Sequence, residues 1–135
     1  REYFPNAMIH GCDIDRDILF KDDRIDTFYC DQTNSKTLNV ITENGVKYDV
    51  IIDDGLHEFP VNWNVLKKVF SSLNSGGYYI IEDIDRKYER YIENITLFDP
   101  FMKGIEWRYM AILNPKNQID NNIAIARHKM LRIPT

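Results

Sequence analysis

Carboxylate side chains follow two apolar segments of the sequence, at the point where each segment ends. Asp53 and Asp54 come directly after the first segment, and Glu82 and Asp83 come after the second. If the two segments are neighbouring strands, these acids repel one another unless a cation lies between them. Asp54, Glu82 and Asp83, with no cysteine among them, are a ligand set suited to a hard cation such as Mg²⁺, with Ca²⁺ or Mn²⁺ as alternatives. The sequence therefore predicts a metal-assisted active site.

His57 follows Asp54 by three residues, close enough to reach the same site from the turn after the segment. A neutral imidazole there can remove a proton from a substrate hydroxyl that the metal polarises. The alternative is a surface histidine without a chemical role. Structural roles are predicted for His10, which lies inside another apolar segment, and for His128 near the end of the chain.

Two further acids, Asp13 and Asp31, follow two other apolar segments. An acid at the end of the second strand of a nucleotide-binding fold can accept hydrogen bonds from both ribose hydroxyls, and this role is predicted for Asp13. Helix capping is the alternative, but Asp15 is better placed for it. Asp31 with Gln32 can contact an adenine edge, because a carboxylate accepts a hydrogen bond from the exocyclic amine. An ordinary strand-to-helix turn is the alternative for this pair.

Apolar segments alternate along the chain with segments of helical periodicity, which predicts strands alternating with helices. The predicted strands are residues 6–12, 25–30, 48–53, 78–81, 105–113 and 122–127. The predicted helical segments are residues 16–20, 35–43, 60–73 and 85–97. This order is typical of an α/β fold, in which ligands bind beyond the carboxyl ends of the parallel strands.

Consecutive apolar residues in segments 48–53 and 78–81 indicate strands that are buried on both faces. The Ser-Gly-Gly sequence at residues 75–77 is predicted to end the preceding helix. A turn at residues 114–117 indicates that the last two strands form an antiparallel hairpin. The predicted fold is a Rossmann-like, doubly wound and mostly parallel sheet with this hairpin at its C-terminal edge.

The 135 residues predict one domain spanning residues 1–135. A net charge of −4 without a basic stripe argues against nucleic acid and against an anionic membrane as partners. No apolar stretch approaches the ~20 residues that span a membrane, and no signal segment opens the chain. Cys12 and Cys30 match no metal-binding or redox spacing, so reduced thiols at the core or pocket edge and a cytoplasmic setting are expected.

Several of these segments together resemble class I S-adenosylmethionine-dependent methyltransferases of the macrocin and mycinamicin sugar O-methyltransferase type. Related cephalosporin-hydroxylase-like proteins share much of the pattern. The segments that carry the resemblance are residues 3–7, 11–15, 31–32, 51–57, 76–83 and 121–127. Its most specific parts are the Asp-Asp-Gly-Leu-His sequence at residues 53–57 and the Ile-Glu-Asp sequence at residues 81–83.

The resemblance implies that Asp54, Glu82 and Asp83 bind Mg²⁺ or another divalent cation and that His57 is the general base. It implies methyl transfer from the sulfonium of S-adenosylmethionine to a hydroxyl of a sugar or similar small molecule. Asp13 would hold the cofactor ribose, and Asp31 and Gln32 would lie beside the adenine. The residues predicted to bind the cofactor are Asp13, Asp31, Gln32 and Asp53.

The resemblance also implies a first strand and a glycine-rich turn ahead of the segment at residues 3–5, so an N-terminally truncated chain is expected. That strand would lie between the strand that ends at Asp13 and the strand that ends at Asp54. A sheet ordered 3-2-1-4-5-7-6 would then lack its centre, and an unfilled strand edge is compatible with self-association into a homo-oligomer. Leu56 stands where the family has a small serine.

Two other classes of function remain open at this point. A non-catalytic Rossmann-like module that binds a nucleotide or a partner protein would retain the fold, and the expected loss of the first strand favours it. An NAD-dependent oxidoreductase would use Asp13 equally well, but hydride transfer has no evident task for His57 and the carboxylates. A response of binding to Mg²⁺ would separate the methyltransferase from the oxidoreductase.

Overall fold

The computed structural model describes residues 3–112 and 120–129, in which strands alternate with helices. The strands are β1 Ile9–Asp13, β2 Lys21–Asp22, β3 Ile25–Tyr29, β4 Tyr48–Asp53, β5 Leu73–Ile84, β6 Ile105–Met110 and β7 Asn122–His128. The α-helices are α1 Asn39–Thr42, α2 Phe59–Val69 and α3 Glu89–Phe98. Short 3₁₀ turns lie at Arg16–Ile18, Phe70–Ser72, Arg86–Tyr88 and Pro100–Gly104. Within the described ranges, no helix is long and apolar enough to cross a membrane.

The strands form two sheets. In the first, of order β1-β3-β2, strand β3 runs parallel to β1 and antiparallel to the short β2, which the sequence pattern did not predict. In the second, of order β4-β5-β7-β6, the β4–β5 pair is parallel and β7 runs antiparallel to both β5 and β6. The predicted α/β fold and the antiparallel C-terminal strands are confirmed, while the turn predicted at residues 114–117 lies outside the described residues.

The division between the sheets falls between β1 and β4. Among the described residues, β1 pairs only with β3, and β4 pairs only with β5. Side chains connect the sheets here: His10 of β1 and the Tyr48 hydroxyl of β4 are hydrogen-bonded at 2.8 Å. Gln32, which follows β3, donates a hydrogen bond to Asp53 at the end of β4. The observed strand order agrees with the order expected for a sheet without its central strand.

One face of the four-stranded sheet carries the hydrophobic core. Tyr79 and Ile81 of β5 point into it and are fully buried. Helix α2 starts with a proline in its first turn, as predicted, and packs an aromatic and aliphatic stripe against these strands. The helical residues of the core are Phe59, Trp63, Val65, Leu66 and Val69 of α2 and Ile92 of α3. The core therefore fixes β4 and β5, whose ends carry the candidate metal ligands.

The opposite face of the same sheet is exposed, so the prediction that β4 and β5 are buried on both faces is wrong. Val50, Ile52 and Tyr78 are 50%, 58% and 42% exposed. They share a face because Val50 is in register with Tyr78, and Ile52 with Ile80. Helix α2 and Ile92 of helix α3 pack in the core on the other side. A run of apolar residues predicts a strand, but it does not say which of its faces is covered.

The predicted ends of two helices also differ from the structure. Helix α2 ends at Val69, and residues 73–77 belong to β5, so the prediction that Ser75, Gly76 and Gly77 end the helix is wrong. The β4–β5 register is irregular there, Gly76 has a φ of +84°, and a Cβ at Gly77 would lie 2.8 Å from the Asp49 carbonyl oxygen. The glycines allow the two strands to approach.

Helix α1 is only four residues long, whereas residues 35–43 were predicted to be helical. The preceding segment forms turns instead, because its polar side chains hydrogen-bond to nearby backbone groups. Asn34 accepts from the Lys36 amide at 3.1 Å, and the Thr37 hydroxyl donates to the Asp31 carbonyl at 2.7 Å. Side chains of this type compete with helical hydrogen bonds.

Candidate functional site

Three predicted site residues converge at the carboxyl ends of β4 and β5. Asp54 directly follows β4, Asp83 lies in the last residues of β5, and His57 lies in the loop after β4. One ligand atom from each lies within 4.8 Å of the ligand atoms of the other two. His57 Nε2 is 3.3 Å from an Asp54 oxygen and 4.0 Å from an Asp83 oxygen. Because β4 and β5 are adjacent and parallel, their ends bring together residues that are far apart in the sequence.

The backbone at this cluster has an unusual conformation. His57 has a φ of +56° and Asp83 has a φ of +49°, in the left-handed region that non-glycine residues rarely adopt. Such conformations persist only where the surrounding structure holds them, and they concentrate at functional sites. The left-handed conformation of His57 brings its ring within reach of Asp54, and the left-handed residue Asp83 is itself a member of the cluster. Both distortions therefore occur at the residues that form this cluster.

A fourth residue, Asp120, completes the surroundings of His57 and was not predicted from the sequence. Its Oδ2 lies 3.7 Å from His57 Nδ1, on the opposite side of the ring from Asp54. Asp120 precedes β7, and β7 lies beside β5, with Asn122 in register with Ile84. A carboxylate therefore faces each ring nitrogen, Asp54 at Nε2 and Asp120 at Nδ1. If the Asp54 oxygens bind a cation, the contact with Asp120 favours the tautomer that carries its proton at Nδ1 and leaves Nε2 able to accept one. The only signal in the sequence is an acid shortly before an apolar strand.

Glu82 is placed differently from its neighbour. It lies in β5 and is partly buried, but it is not part of the group of converging ligand atoms that Asp54, His57 and Asp83 form. The register of β5 with β7 shifts between Ile81 and Ile84, and Asp83 has a left-handed φ, so Asp83 departs from the regular side-chain alternation of a strand. A role for Glu82 as a metal ligand stays a prediction.

The donor set of the cluster fits a hard divalent cation. The side chains of Asp54 and Asp83 are 59% and 46% exposed, and their oxygens lie within 4.8 Å of each other. Two carboxylates at this separation repel each other, and a cation between them removes that cost. Mg²⁺ binds to proteins through one or two carboxylates and retains several waters, which suits a half-exposed pair.

Asp13 and Asp31, two of the predicted cofactor residues, each accept hydrogen bonds from the loop that follows them. Asp13 is the last residue of β1, and its Oδ1 accepts a hydrogen bond from the Asp15 amide at 2.7 Å. Asp15 caps the next turn through the Asp17 amide at 2.9 Å, as predicted. Asp31 Oδ1 accepts from both the amide and the hydroxyl of Thr33, at 2.9 and 2.7 Å. These contacts are those of strand-to-helix turns.

Gln32 and Asp53 form a hydrogen-bonded connection between the two sheets. Gln32 Nε2 donates to Asp53 Oδ1, and Gln32 Oε1 accepts from the Leu56 amide at 2.9 Å. The Tyr79 hydroxyl donates to the other oxygen of Asp53 at 2.7 Å. Burial and then the charge of Asp53 raise the pKa of Tyr79 well above its usual range, so the phenol retains its proton. Any side chain at Gly55 would overlap the Gln32 amide.

This connection bears on the predicted role of Asp53. Its side chain is buried, at 5% exposure, and both of its oxygens already accept a hydrogen bond. A cofactor contact from Asp53 or from the Gln32 amide would have to replace one of these bonds. For both residues, such a contact stays a prediction. What the structure assigns to them is the positioning of the loop that carries Asp54 and His57.

Comparison with known proteins relates the chain to sugar O-methyltransferases. It is 32% identical over 88 residues to 8-demethyl-8-(2-methoxy-alpha-L-rhamnosyl)-tetracenomycin-C 3'-O-methyltransferase of Streptomyces olivaceus, which covers 65% of this chain and 23% of that protein. It is 32% identical over 91 residues to mycinamicin VI 2''-O-methyltransferase of Micromonospora griseorubida, covering 65% and 22%. The chain thus spans less than a quarter of these curated relatives. No protein-family model matches the sequence.

Solved structures with the same fold include the MycE methyltransferase from the mycinamycin biosynthetic pathway. In its complex with Mg and SAH it is 21% identical, covers 93% of this chain and 38% of its own, and has a TM-score of 0.65. In its complex with Mg, SAH and mycinamycin VI the TM-score is 0.67, at 20% identity and 93% and 37% coverage. The predicted resemblance to the macrocin and mycinamicin sugar O-methyltransferases is confirmed, and these structures confirm the fold.

Proposed function

We propose that this chain belongs to an S-adenosylmethionine-dependent O-methyltransferase and contains its metal ligands and its general base. The methyl acceptor is a hydroxyl of a sugar or similar small molecule. The observation that carries the proposal is the convergence of Asp54, His57 and Asp83 at the ends of two parallel strands. Supporting it, the named sequence relatives methylate sugar hydroxyls of rhamnosylated tetracenomycin and of mycinamicin. We further propose that residues 1–135 form a single methyltransferase-like domain that acts in the cytoplasm.

The residues that would hold a divalent cation are Asp54 and Asp83, with Glu82 as the neighbouring candidate. A cation bound there supplies Lewis-acid stabilisation of negative charge on the acceptor oxygen. The carboxylates also fix the direction from which an acceptor hydroxyl approaches, because they lie on one side of His57. Correct positioning of the hydroxyl for in-line attack is itself a large part of the rate enhancement in such a transfer.

Proton removal is assigned to His57. As the acceptor oxygen forms its bond to the methyl carbon, the hydroxyl proton passes to His57 Nε2, and the sulfur keeps the electron pair of the broken S–CH₃ bond. Asp120, 3.7 Å from Nδ1, stabilises the positive charge that the ring then carries. The hydrogen bonds of Gln32 to Asp53 and to the Leu56 amide hold the loop on which His57 depends.

A non-catalytic binding module is the second candidate. Two observations favour it for this chain. The edges of β1 and β4 are unpaired among the described residues. Asp13 and Asp31 already have hydrogen-bond partners in their own loops, and Gln32 has partners at the end of β4 and in the loop after it. Against it, the MycE structures, which share this fold, contain Mg and SAH, and this supports the methyltransferase proposal. An NAD-dependent oxidoreductase has no comparable support.

The test is a calorimetric titration of S-adenosylmethionine into the chain, with and without Mg²⁺, and with NAD as the control ligand. We expect selective binding of S-adenosylmethionine and a separate heat of Mg²⁺ binding that is lost in Asp83→Asn. A matched control is Glu43→Gln, which removes an exposed acid ahead of β4, at the opposite end of that strand. Binding of Mg²⁺ that is unchanged in Asp83→Asn, or binding of NAD in place of S-adenosylmethionine, would contradict the proposal.

A further inference from the structure

The two cysteines of the chain lie diagonally across two adjacent strands, Cys12 in β1 and Cys30 directly after β3. Cys12 of β1 is in register with Phe28 of β3, and Cys30 follows Phe28 by two residues. Residues two apart in a strand share a face, so both sulfurs lie on the same side of the sheet. The two thiols are close enough to shift each other's pKa, and Cys30 Sγ lies 3.9 Å from Thr37 Oγ1. The chain contains no other cysteine.

The two thiols are not equivalent. Hydrogen bonding from Cys12, assisted by Thr37, lowers the pKa of Cys30 to about 7, although burial and the charges of Asp31 and Asp53 act in the opposite direction. The pKa of Cys12 is raised, first by the hydrogen bond to Cys30 and then by burial. Cys30 is 6% exposed, whereas Cys12 is exposed to solvent. The sulfur with thiolate character, Cys30, is therefore buried, and it lies beside the solvent-accessible Cys12, which retains its proton.

We propose that Cys12 and Cys30 are a redox-sensitive modification site that forms a reversible disulfide between β1 and β3. With hydrogen peroxide as the oxidant, the Cys30 thiolate attacks one peroxide oxygen, the O–O bond breaks, and a sulfenic acid and hydroxide form. The Cys12 sulfur then displaces the sulfenic hydroxyl and gives up its proton. In total, two thiols and one peroxide become one disulfide and two waters. A thiol reductant reverses the bond by exchange.

Closing this bond changes the geometry of the sheet ends. Neighbouring strands lie about 4.8 Å apart and two residues advance a parallel strand by about 6.6 Å, so diagonal Cα atoms are roughly 8 Å apart, whereas disulfide-linked Cα atoms are usually about 5.5–6 Å apart. The end of β3 must therefore move toward β1. The movement has to loosen the 2.8 Å hydrogen bond from the Cys30 amide to the Asp13 carbonyl. Cys30 is one residue past β3, and Cys12 is next to the last residue of β1, whose other edge is unpaired among the described residues.

The movement would reach the predicted cofactor residues, because Asp13 directly follows Cys12 and Asp31 directly follows Cys30. A disulfide would draw both acids together and disturb the turns that they cap. The inference that oxidation weakens cofactor binding rests on the proposed function. The inference that the disulfide forms does not, since it depends only on the two sulfurs and their strands.

The disulfide is tested by treating the reduced chain with hydrogen peroxide, counting free thiols and measuring the mass without reductant. We expect the count to fall from two to none, the chain to remain a single chain that has lost two hydrogens, and dithiothreitol to restore both thiols. Cys12→Ser should instead stop at a sulfenic acid that dimedone traps on Cys30. Persistence of both thiols in the folded chain, or products that are only intermolecular dimers or sulfinic acids, would overturn the proposal.

The structural consequence is tested by hydrogen exchange of the oxidised and reduced forms. Amides of residues 12–15 and 30–33 should change their exchange rates, while those of β6 and β7 should not. Equal rates at both segments would overturn the predicted movement. Titration of S-adenosylmethionine into both forms then separates the two proposals: binding only to the reduced form supports both, and equal binding to both forms overturns the regulatory role. Absence of binding even to the reduced form contradicts the proposed function and leaves the disulfide standing.

Discussion

The two sheets end in acids that have opposite surroundings. At the four-stranded sheet, Asp54 and Asp83 lie near each other and near His57, half-exposed. At the three-stranded sheet, Asp13 and Asp31 also end two adjacent parallel strands, but each accepts hydrogen bonds from the loop that follows it. In the second pair, one oxygen of each acid is hydrogen-bonded by its own loop, whereas the acids of the first pair lie close enough to repel each other.

The difference originates in the loops. Asp13 and Asp31 are each followed by a turn whose amide two residues later points back at the carboxylate. Asp54 is followed by a loop with a left-handed residue, His57, that brings a ring to the carboxylate, and Asp83 is itself left-handed. An acid after an apolar strand is thus one sequence signal with two structural outcomes. Only the conformation of the next few residues separates a ligand-binding acid from a capping one.

The largest expected effect is on catalysis at His57. In an active form of the protein, His57→Ala should lower turnover roughly 10²-fold or more and leave the affinity for S-adenosylmethionine little changed, because only the proton acceptor is removed. Turnover and calorimetric affinity are the measurements. His57→Asn is the matched variant, since asparagine tolerates the left-handed φ of +56° better than alanine does. Turnover that stays near wild type in both variants would remove His57 from the role of base.

The second-largest expected effect is on Mg²⁺ affinity, and it tests the difference between the two sheets directly. Asp54→Asn and Asp83→Asn should each weaken Mg²⁺ binding by at least about tenfold, because one of two carboxylates that face the cation is lost. Asp31→Asn should leave Mg²⁺ affinity unchanged, since that acid serves its own turn. The measurement is calorimetric titration of Mg²⁺ into each variant. Equal losses from the acids of both sheets would show that the two ends do not differ as argued.

A smaller effect is expected at Asp120. Asp120→Asn should lower kcat about tenfold while KM for the acceptor changes little, because the ring keeps its position but loses the carboxylate that stabilises its charged form. Asp120→Glu should recover part of kcat. An equal loss in KM, or a loss that Asp120→Glu does not relieve, would indicate that this residue supports the loop and does not act through His57.

The sequence was most informative where a local pattern decides the outcome. Strand β4 was predicted with its observed bounds, Tyr48–Asp53, because its apolar run ends abruptly in acids. The approach of His57 to Asp54 was predicted from a spacing of three residues. The order of strands around the division also agreed with expectation. The first two predictions depend on residues that are neighbours in the sequence, and the third depends on the resemblance to a known fold.

The features that sequence reasoning missed depend on contacts between distant segments. Asp120 reaches His57 only because β7 lies antiparallel to β5. The exposure of Val50 and Ile52 depends on which elements cover the sheet, and an apolar run carries no information about that. Gly76 and Gly77 have the composition of a helix end but lie in a strand beside β4. Tertiary context decided each outcome against the local pattern.

The smallest expected effect is on the free energy of unfolding, and it tests the difference between the two sheet ends without any ligand. Asp31→Ala should lower the free energy of unfolding by about 1 kcal/mol, because the amide and hydroxyl of Thr33 lose their acceptor. Asp54→Ala should leave the free energy of unfolding unchanged or raise it slightly in metal-free buffer, since it relieves repulsion with Asp83. Urea unfolding of each variant with EDTA present is the measurement. If Asp54→Ala cost as much as Asp31→Ala, the acids of β4 and β5 would be holding the fold together, and the case for a cation between them would lose its electrostatic basis.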